Sequence, residues 1–237
     1  MKRFSMILCI ILCFSLFFLL GCEKKPDTPA ELTFPGLEWG MTKEEVIAAL
    51  SLQEGDYEIE KASQGGSFSM TIEDQIICFG TPMQGMWLTF CPPGSSPEVY
   101  GLSNVNVVYP EGTDMQLVRR YMESYYGLPK DENTKEQRWE QDSGGHVAHW
   151  ATDETLGDVL TNEIKREHFV MDGDPMNPEP GKMLNFYLKR PLREIYWSDD
   201  RNIFESNGTL EPCGQGYLVF SGGYGLLADY WLAEQAN

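Results

Sequence analysis

Few side chains in this chain have types and spacings that could do chemistry. Cys78 and Cys91 lie in the run ICFGTPMQGMWLTFC, where a two-residue turn at Gln84-Gly85 would set Met83 opposite Met86 and Cys78 opposite Cys91. That rung of an antiparallel ladder is of the non-hydrogen-bonded kind, where side chains come closest, which suits a cross-strand disulfide in an oxidising compartment. The alternative is a pair of ordinary small core residues, because a one-residue slip of the turn breaks the register. Cys213, in PCGQG, is then left over, and the set 78, 91 and 213 fits no zinc spacing. His146 and His149, in HVAH, would point to opposite sides of a strand and could not share a metal there. His168 has no sequence neighbour that would make it a ligand or a base. The loop DGDPMNPEPG (172–181) offers Asp172, Asp174, Asn177 and Glu179 as oxygen ligands of the kind calcium takes. Its order departs from a calcium loop at Met176 and Asn177, so a solvated connection is the better reading. No G-x-S-x-G, P-loop, G-x-G-x-x-G or H-E-x-x-H motif occurs. Nothing singles out one pair among the 36 acids for glycoside hydrolysis. The expectation is a chain with no catalytic residue, no metal and no cofactor.

The N-terminus carries a different chemistry. Lys2 and Arg3 precede an apolar run from Phe4 to Leu20, broken only by Ser5, Ser15, Cys9 and Cys13, which is the layout of a secretory signal. The run falls short of the roughly 20 apolar residues that a spanning helix needs. Leu19-Leu20-Gly21-Cys22 resembles the lipobox of bacterial lipoproteins. The resemblance implies that residues 1–21 are removed as signal peptide and that the Cys22 thiol carries a diacylglycerol. It places the protein at the cell membrane, lipid-anchored through Cys22 and facing outside the cytoplasm. A single acyl chain holds a protein only marginally at a bilayer and two or more hold it stably. Cleavage before Cys22 removes Lys2 and Arg3 but no acid, so the formal charge of −18 becomes −20. Such a chain is repelled by nucleic acid and by anionic headgroups, so nucleic acid is not an expected partner and the acyl chains must do the anchoring. Residues 22–33 are short and polar and read as a tether.

From residue 34 to 237 the sequence reads as one α+β domain, with no linker long enough to divide it. Two helices are written alike. In GMTKEEVIAAL, Thr42 and Glu45 form a capping box, Met41 can staple onto Val46, and Val46, Ile47 and Leu50 make an apolar stripe. In EGTDMQLVRRYMESYYGLP, Thr113 and Gln116 repeat the box, and Leu117, Val118, Tyr121, Met122 and Tyr125 repeat the stripe up to the stop at Gly127 and Pro129. Strand-like runs follow the first helix at 57–62, 67–72, 75–80, 86–91 and 103–110. They recur after the second in QRWEQ, HVAHWA, MLNFYLKR and REIYWSD. The reading is an antiparallel sheet with helices packed on one face, built from two degenerate helix-plus-meander units at about 36–110 and 111–200 with an extension at 201–237. Residues 155–169 carry Leu156, Val159, Leu160 and Ile164 at helical spacing and predict a third helix. The tail fits either a hairpin around Ser221-Gly222-Gly223 or a strand leading into a short helix.

Gly40, Met41, Thr42, Glu45 and Val46 resemble the G-M-[ST]-x-x-[EQ]-V opening of small lipoproteins of the SmpA/OmlA type and of the β-lactamase inhibitor protein repeats. In those families a G-x-P then precedes an antiparallel meander. Here the G-x-P follows only the second helix, as Gly127-Leu128-Pro129. The resemblance implies action through a surface rather than catalysis. The expected function is therefore a membrane-anchored, non-catalytic protein-binding or scaffold module with a cell-envelope protein as partner. The alternative is a carbohydrate or cell-wall binding lipoprotein in which Trp39, Trp87, Trp139, Trp150 or Trp197 stacks on sugar rings, although aromatic residues of this kind also suit a half-buried sheet.

Overall fold

A computed structural model of the chain describes residues 31–61, 67–73, 76–91, 101–132, 145–162, 164–165, 187–200, 202–204, 210–212 and 214–235. Its frame is a sheet of eight antiparallel strands. The first helix, α1 (Lys43–Ala49), precedes β1 (Glu58–Lys61), β2 (Phe68–Ile72), a small hairpin of β3 (Ile77–Cys78) and β4 (Thr81–Pro82), then β5 (Gly85–Cys91) and β6 (Gly101–Val108). The second, α2 (Met115–Tyr126), precedes β7 (Asp131–Glu132), β8 (Val147–Ala151), the short α3 (Leu156–Val159) and β9 (Glu194–Ser198). A second hairpin, β10 (Asn202–Phe204) and β11 (Leu210–Pro212), leads to β12 (Tyr217–Ser221) and α4 (Gly223–Gln235). The order across the sheet is β1-β2-β5-β6-β12-β9-β8-β7, so each half is a helix followed by a four-stranded meander, and the last strands of the two halves pair with each other. This is the α+β class read from the sequence, with β12 supplied by residues beyond 200 and with α4 set against the face opposite to α1 and α2.

Strand alternation decides which side is core. Met70, Leu88, Val105, Phe220, Ile195 and Trp150 stand in one row across six strands, and Ile72, Met86, Val107, Leu218, Trp197 and Ala148 stand in the next. All twelve are buried. Val46 of α1 and Met115, Val118, Met122 and Tyr126 of α2 pack onto the same cluster, so both repeat-opening helices cover this one face. The Thr42–Glu45 capping box forms as expected. For α2 the cap moves by one residue: Asp114, not Thr113, accepts from the backbone N–H groups of Gln116 and Leu117. The buried stripe turns with it to Met115, Val118, Met122 and Tyr126, leaving Tyr121 exposed.

The Cys78–Cys91 expectation is corrected. The tight turn falls at Phe79-Gly80, where Cys78 pairs with Thr81, and β5 pairs with β2 and β6 instead of β3. Cys91 lies opposite Gly101, and no bond joins it to Cys78. Both central residues of the turn have positive φ, 47° at Phe79 and 73° at Gly80, as a type I′ hairpin turn requires. A bulky residue in that region costs about 1–3 kcal/mol. Burial offsets it, since the Phe79 ring packs against Phe220, Tyr126 and Tyr125 with centroids 6.0–6.4 Å apart. A β-carbon at Gly80 would also come within 2.5 Å of the Tyr121 ring, which would have to move aside.

Three other regions depart from or decide the sequence reading. Of the span 155–169, the described residues give the short α3 with its own Thr155–Asp158 capping box, an extended Leu160, and helical backbone again at 162 and 164–165. Leu156, Leu160 and Ile164 are nonetheless all buried, in a second cluster with Ala228 and Trp231 of α4. Tyr187 and Leu188, expected in a strand, are helical. The tail takes the strand-then-helix form. No helix among the described residues is long and apolar enough to cross a membrane.

Candidate functional site

The same alternation that builds the core places a second set of side chains on the opposite face. Register links Ser69, Thr89, Asn104, Ser221 and Glu194 in one row from β2 to β9. The next row runs from Glu58 through Thr71, Trp87, Asn106, Val219, Tyr196 and His149 to Asp131, across all eight strands. Hydroxyl and amide residues dominate the first half of this face.

The second half buries charge. Glu194 is 1% exposed and His149 3%. Arg190 Nη2 donates to Glu194 Oε1 at 2.8 Å, and Tyr196 Oη donates to Glu194 Oε2 at 3.3 Å. His149 Nε2 lies 3.3 Å from the same oxygen, and the imidazole stacks on the Tyr196 ring at 4.3 Å with 13° between the planes. An ionised carboxylate only accepts, so it takes the hydrogen from Nε2. Nδ1 then has no hydrogen-bond partner, and the Asp131 carboxylate is 3.8 Å away. Removing one member of such a buried set leaves the others uncompensated, which costs far more than an exposed ion pair contributes. A general base must reach a proton on a substrate. His149 is closed in by Tyr196 and Glu194, and the Arg190–Glu194 contact ties the 187–193 segment to β9.

Beside this cluster, α4 stands over the same face and leaves a cleft of about 290 Å³. Thr89 and Cys91 of β5, Ser103 and Asn104 of β6, Ser221 of β12, and Gly223, Tyr224, Leu226 and Leu227 of α4 line it. The pairing of β5 with β6 shifts between Thr89 and Phe90, leaving Ser103 unmatched in the ladder, and its hydroxyl donates to the Thr89 carbonyl at 3.0 Å. Bulges of this kind bend a strand and re-aim its side chains. The cleft and the charged cluster meet at Tyr224, whose ring has the Arg190 guanidinium 5.7 Å from its centroid. Burial pushes the Tyr224 hydroxyl above its ordinary pKa, against the opposing charge of Arg190.

The residues singled out by sequence are spread apart. Cys22, His168, Cys213, Trp139 and the loop 172–181 lie outside the described residues. Cys78 is in the core and Cys91 at the cleft. His146 faces Asp199, with Nδ1 2.9 Å from its carboxylate, while His149 takes Glu194. Among the described residues no group of three or more His, Cys, Asp or Glu side chains is arranged to hold a metal. Trp150 and Trp197 are core residues, and the indole N–H groups of Trp39, Trp150 and Trp197 donate to the backbone carbonyls of Leu32, Gly127 and Met115. Sequence reasoning missed Glu194. In REIYWSD the apolar Ile195 and Trp197 share a side, which puts Glu194 with Tyr196 and Ser198 on the other, yet no spacing ties it to a histidine 45 residues earlier. No protein-family model matches the chain, and no curated protein or solved structure is significantly similar to it.

Proposed function

We propose that the protein is a lipid-anchored module outside the cytoplasm that works by surface recognition of another cell-envelope protein, without catalysis. The anchor rests on Lys2-Arg3, the apolar run and Leu19-Leu20-Gly21-Cys22. The observation that carries the recognition reading is where apolar side chains remain at the surface. Ile77 is 71% exposed, Tyr121 42% and Leu128 81%. These three come from the β3–β4 hairpin, from α2 and from the residues just after it, while Ile59 of β1 and Leu232 of α4 are exposed as well, at 40% and 37%. The Tyr121 ring against Gly80 brings helix and hairpin together. Exposed apolar surface supplied by adjoining elements fits a protein partner. The glycan alternative has less behind it, because of Trp39, Trp87, Trp150 and Trp197 the last two are buried in the core and the first two are only partly exposed.

Two experiments test the two parts separately. Cys22→Ala should abolish partition of the chain into the detergent phase, and unchanged partition would end the lipoprotein reading. In-cell cross-linking followed by mass spectrometry should recover one stoichiometric envelope protein, and Tyr121→Glu with Ile77→Glu should remove it. Recovery undiminished by those changes would move the interface elsewhere.

A further inference from the structure

The cleft under α4 has unused hydrogen-bonding groups of both kinds. Asn104 stands between Thr89 and Ser221 in register, and its side-chain oxygen is shielded from water without a hydrogen-bond partner. A buried acceptor left unpaired is costly, and χ2 of Asn is soft enough for the carboxamide of this cleft-lining residue to re-aim at a ligand. On the other wall the N–H of Gly225 donates to the Leu192 carbonyl and that of Leu226 to the Gly222 carbonyl, while those of Gly223 and Tyr224 have no partner among the described residues. First-turn N–H groups project from the N-terminal end of a helix, and the cleft lies against that end. Leu226 and Leu227 supply apolar wall between these polar groups.

We propose that this cleft binds a small uncharged ligand containing an amide group next to an aliphatic side chain. The amide carbonyl accepts from the free N–H groups at the start of α4, its N–H donates to Asn104 Oδ1, and the side chain lies against Leu226 and Leu227. Among the described residues no charged side chain lines the cleft, and Arg190 stands behind Tyr224, already engaged by Glu194. An ionised ligand would enter without a counter-ion and, if anionic, against the negative charge of the whole chain. A site of this volume with mostly apolar walls and a few converging polar groups is at the small end of ligand pockets. The proposal is independent of the anchor and of the α2 surface.

The test uses the full mature chain in detergent micelles, labelled with nitrogen-15 at Asn, Gly and Tyr. N-acetyl-leucinamide, acetyl-Ala-Leu-Ala-amide and N-acetyl-leucine are titrated in turn. The amide signals of Asn104, Gly223 and Tyr224 should shift saturably with at least one of the two neutral compounds. Saturation by the capped amino acid alone assigns the ligand as a free small molecule; saturation by the tripeptide assigns a peptide chain. N-acetyl-leucine, which is ionised, should bind at least about tenfold more weakly. Asn104→Leu should reduce affinity by about tenfold or more, and if that variant does not fold, Thr89→Val should give a loss of at least about threefold. No saturable shift below about 10 mM, equal binding of the ionised compound, or unchanged affinity in the folded variant would overturn the proposal.

Discussion

On the side of the sheet turned away from α1 and α2, β2, β5 and β6 present Ser69, Thr71, Thr89, Asn104 and Asn106, whereas β9 and β8 present Glu194, Tyr196 and His149. Toward the core the two halves are alike, with Met70, Leu88 and Val105 matched by Phe220, Ile195 and Trp150. The difference shows how one architecture can serve two ends. A hydroxyl or amide needs only one or two local partners, so the first half can border a cleft and keep hydrogen-bonding capacity in reserve. A buried carboxylate needs several fixed donors, so the second half is committed to holding Arg190, His149 and Tyr196 in place.

The comparison can be broken at several points. The largest effect is expected from Glu194→Ala, which leaves Arg190 and His149 without their carboxylate and should cost about 3–5 kcal/mol in urea unfolding. A loss below about 1 kcal/mol would mean the second half is no more committed than the first. Next come Leu88→Ala and Leu218→Ala, one in each half on the core side. Each should cost about 2–5 kcal/mol, and a large inequality between them would contradict the likeness of the two cores. Smaller still is the cap of α2: Asp114→Ala should cost about 1 kcal/mol by thermal unfolding and Thr113→Ala much less. Equal losses would return the cap to the register of α1.

The smallest effect concerns acid. The backbone N–H of Thr42, and then its hydroxyl, hold the Glu45 carboxyl below its ordinary value of 4.5. A carboxyl depressed in the folded state stabilises it above the unfolded pKa, and that contribution disappears as pH falls through the folded value. The thermal advantage of the native chain over Glu45→Ala should thus be constant above about pH 5 and shrink as pH drops below 4.5. An advantage that persists at pH 2 would show that the box does not depend on the charge.

Much of the frame was legible because it is local. Thr42 and Glu45 announce α1, Gly127 and Pro129 close α2, and alternation in MWLTFC and EIYWS marks β5 and β9. What escaped depended on partners distant in the chain. Gln84-Gly85 has better turn chemistry than Phe79-Gly80, yet Phe79 turns because Phe220 and Tyr126 bury its ring. Asp114 displaces Thr113 as cap because turning the helix by that much buries Met115 in place of Tyr121. The charged cluster was out of reach for the same reason, since Glu194 and His149 meet only through the pairing of β8 with β9. The cleft needs α4, whose start the tail sequence left open between two forms.

The joining of β6 to β12 also orders events in time. β12 comes after every other strand of the sheet in chain order and is the one through which the second half pairs with the first. Until that strand arrives, β6 and β9 each offer an unsatisfied strand edge, the kind of surface on which chains join one another. A chain emerging N-terminus first could complete the first meander and three strands of the second and still lack the strand that makes them one body. The strand that seals the two halves against copies of the same chain is therefore the last of the eight to appear, and removing it should expose β6 and β9 and make the chain self-associate.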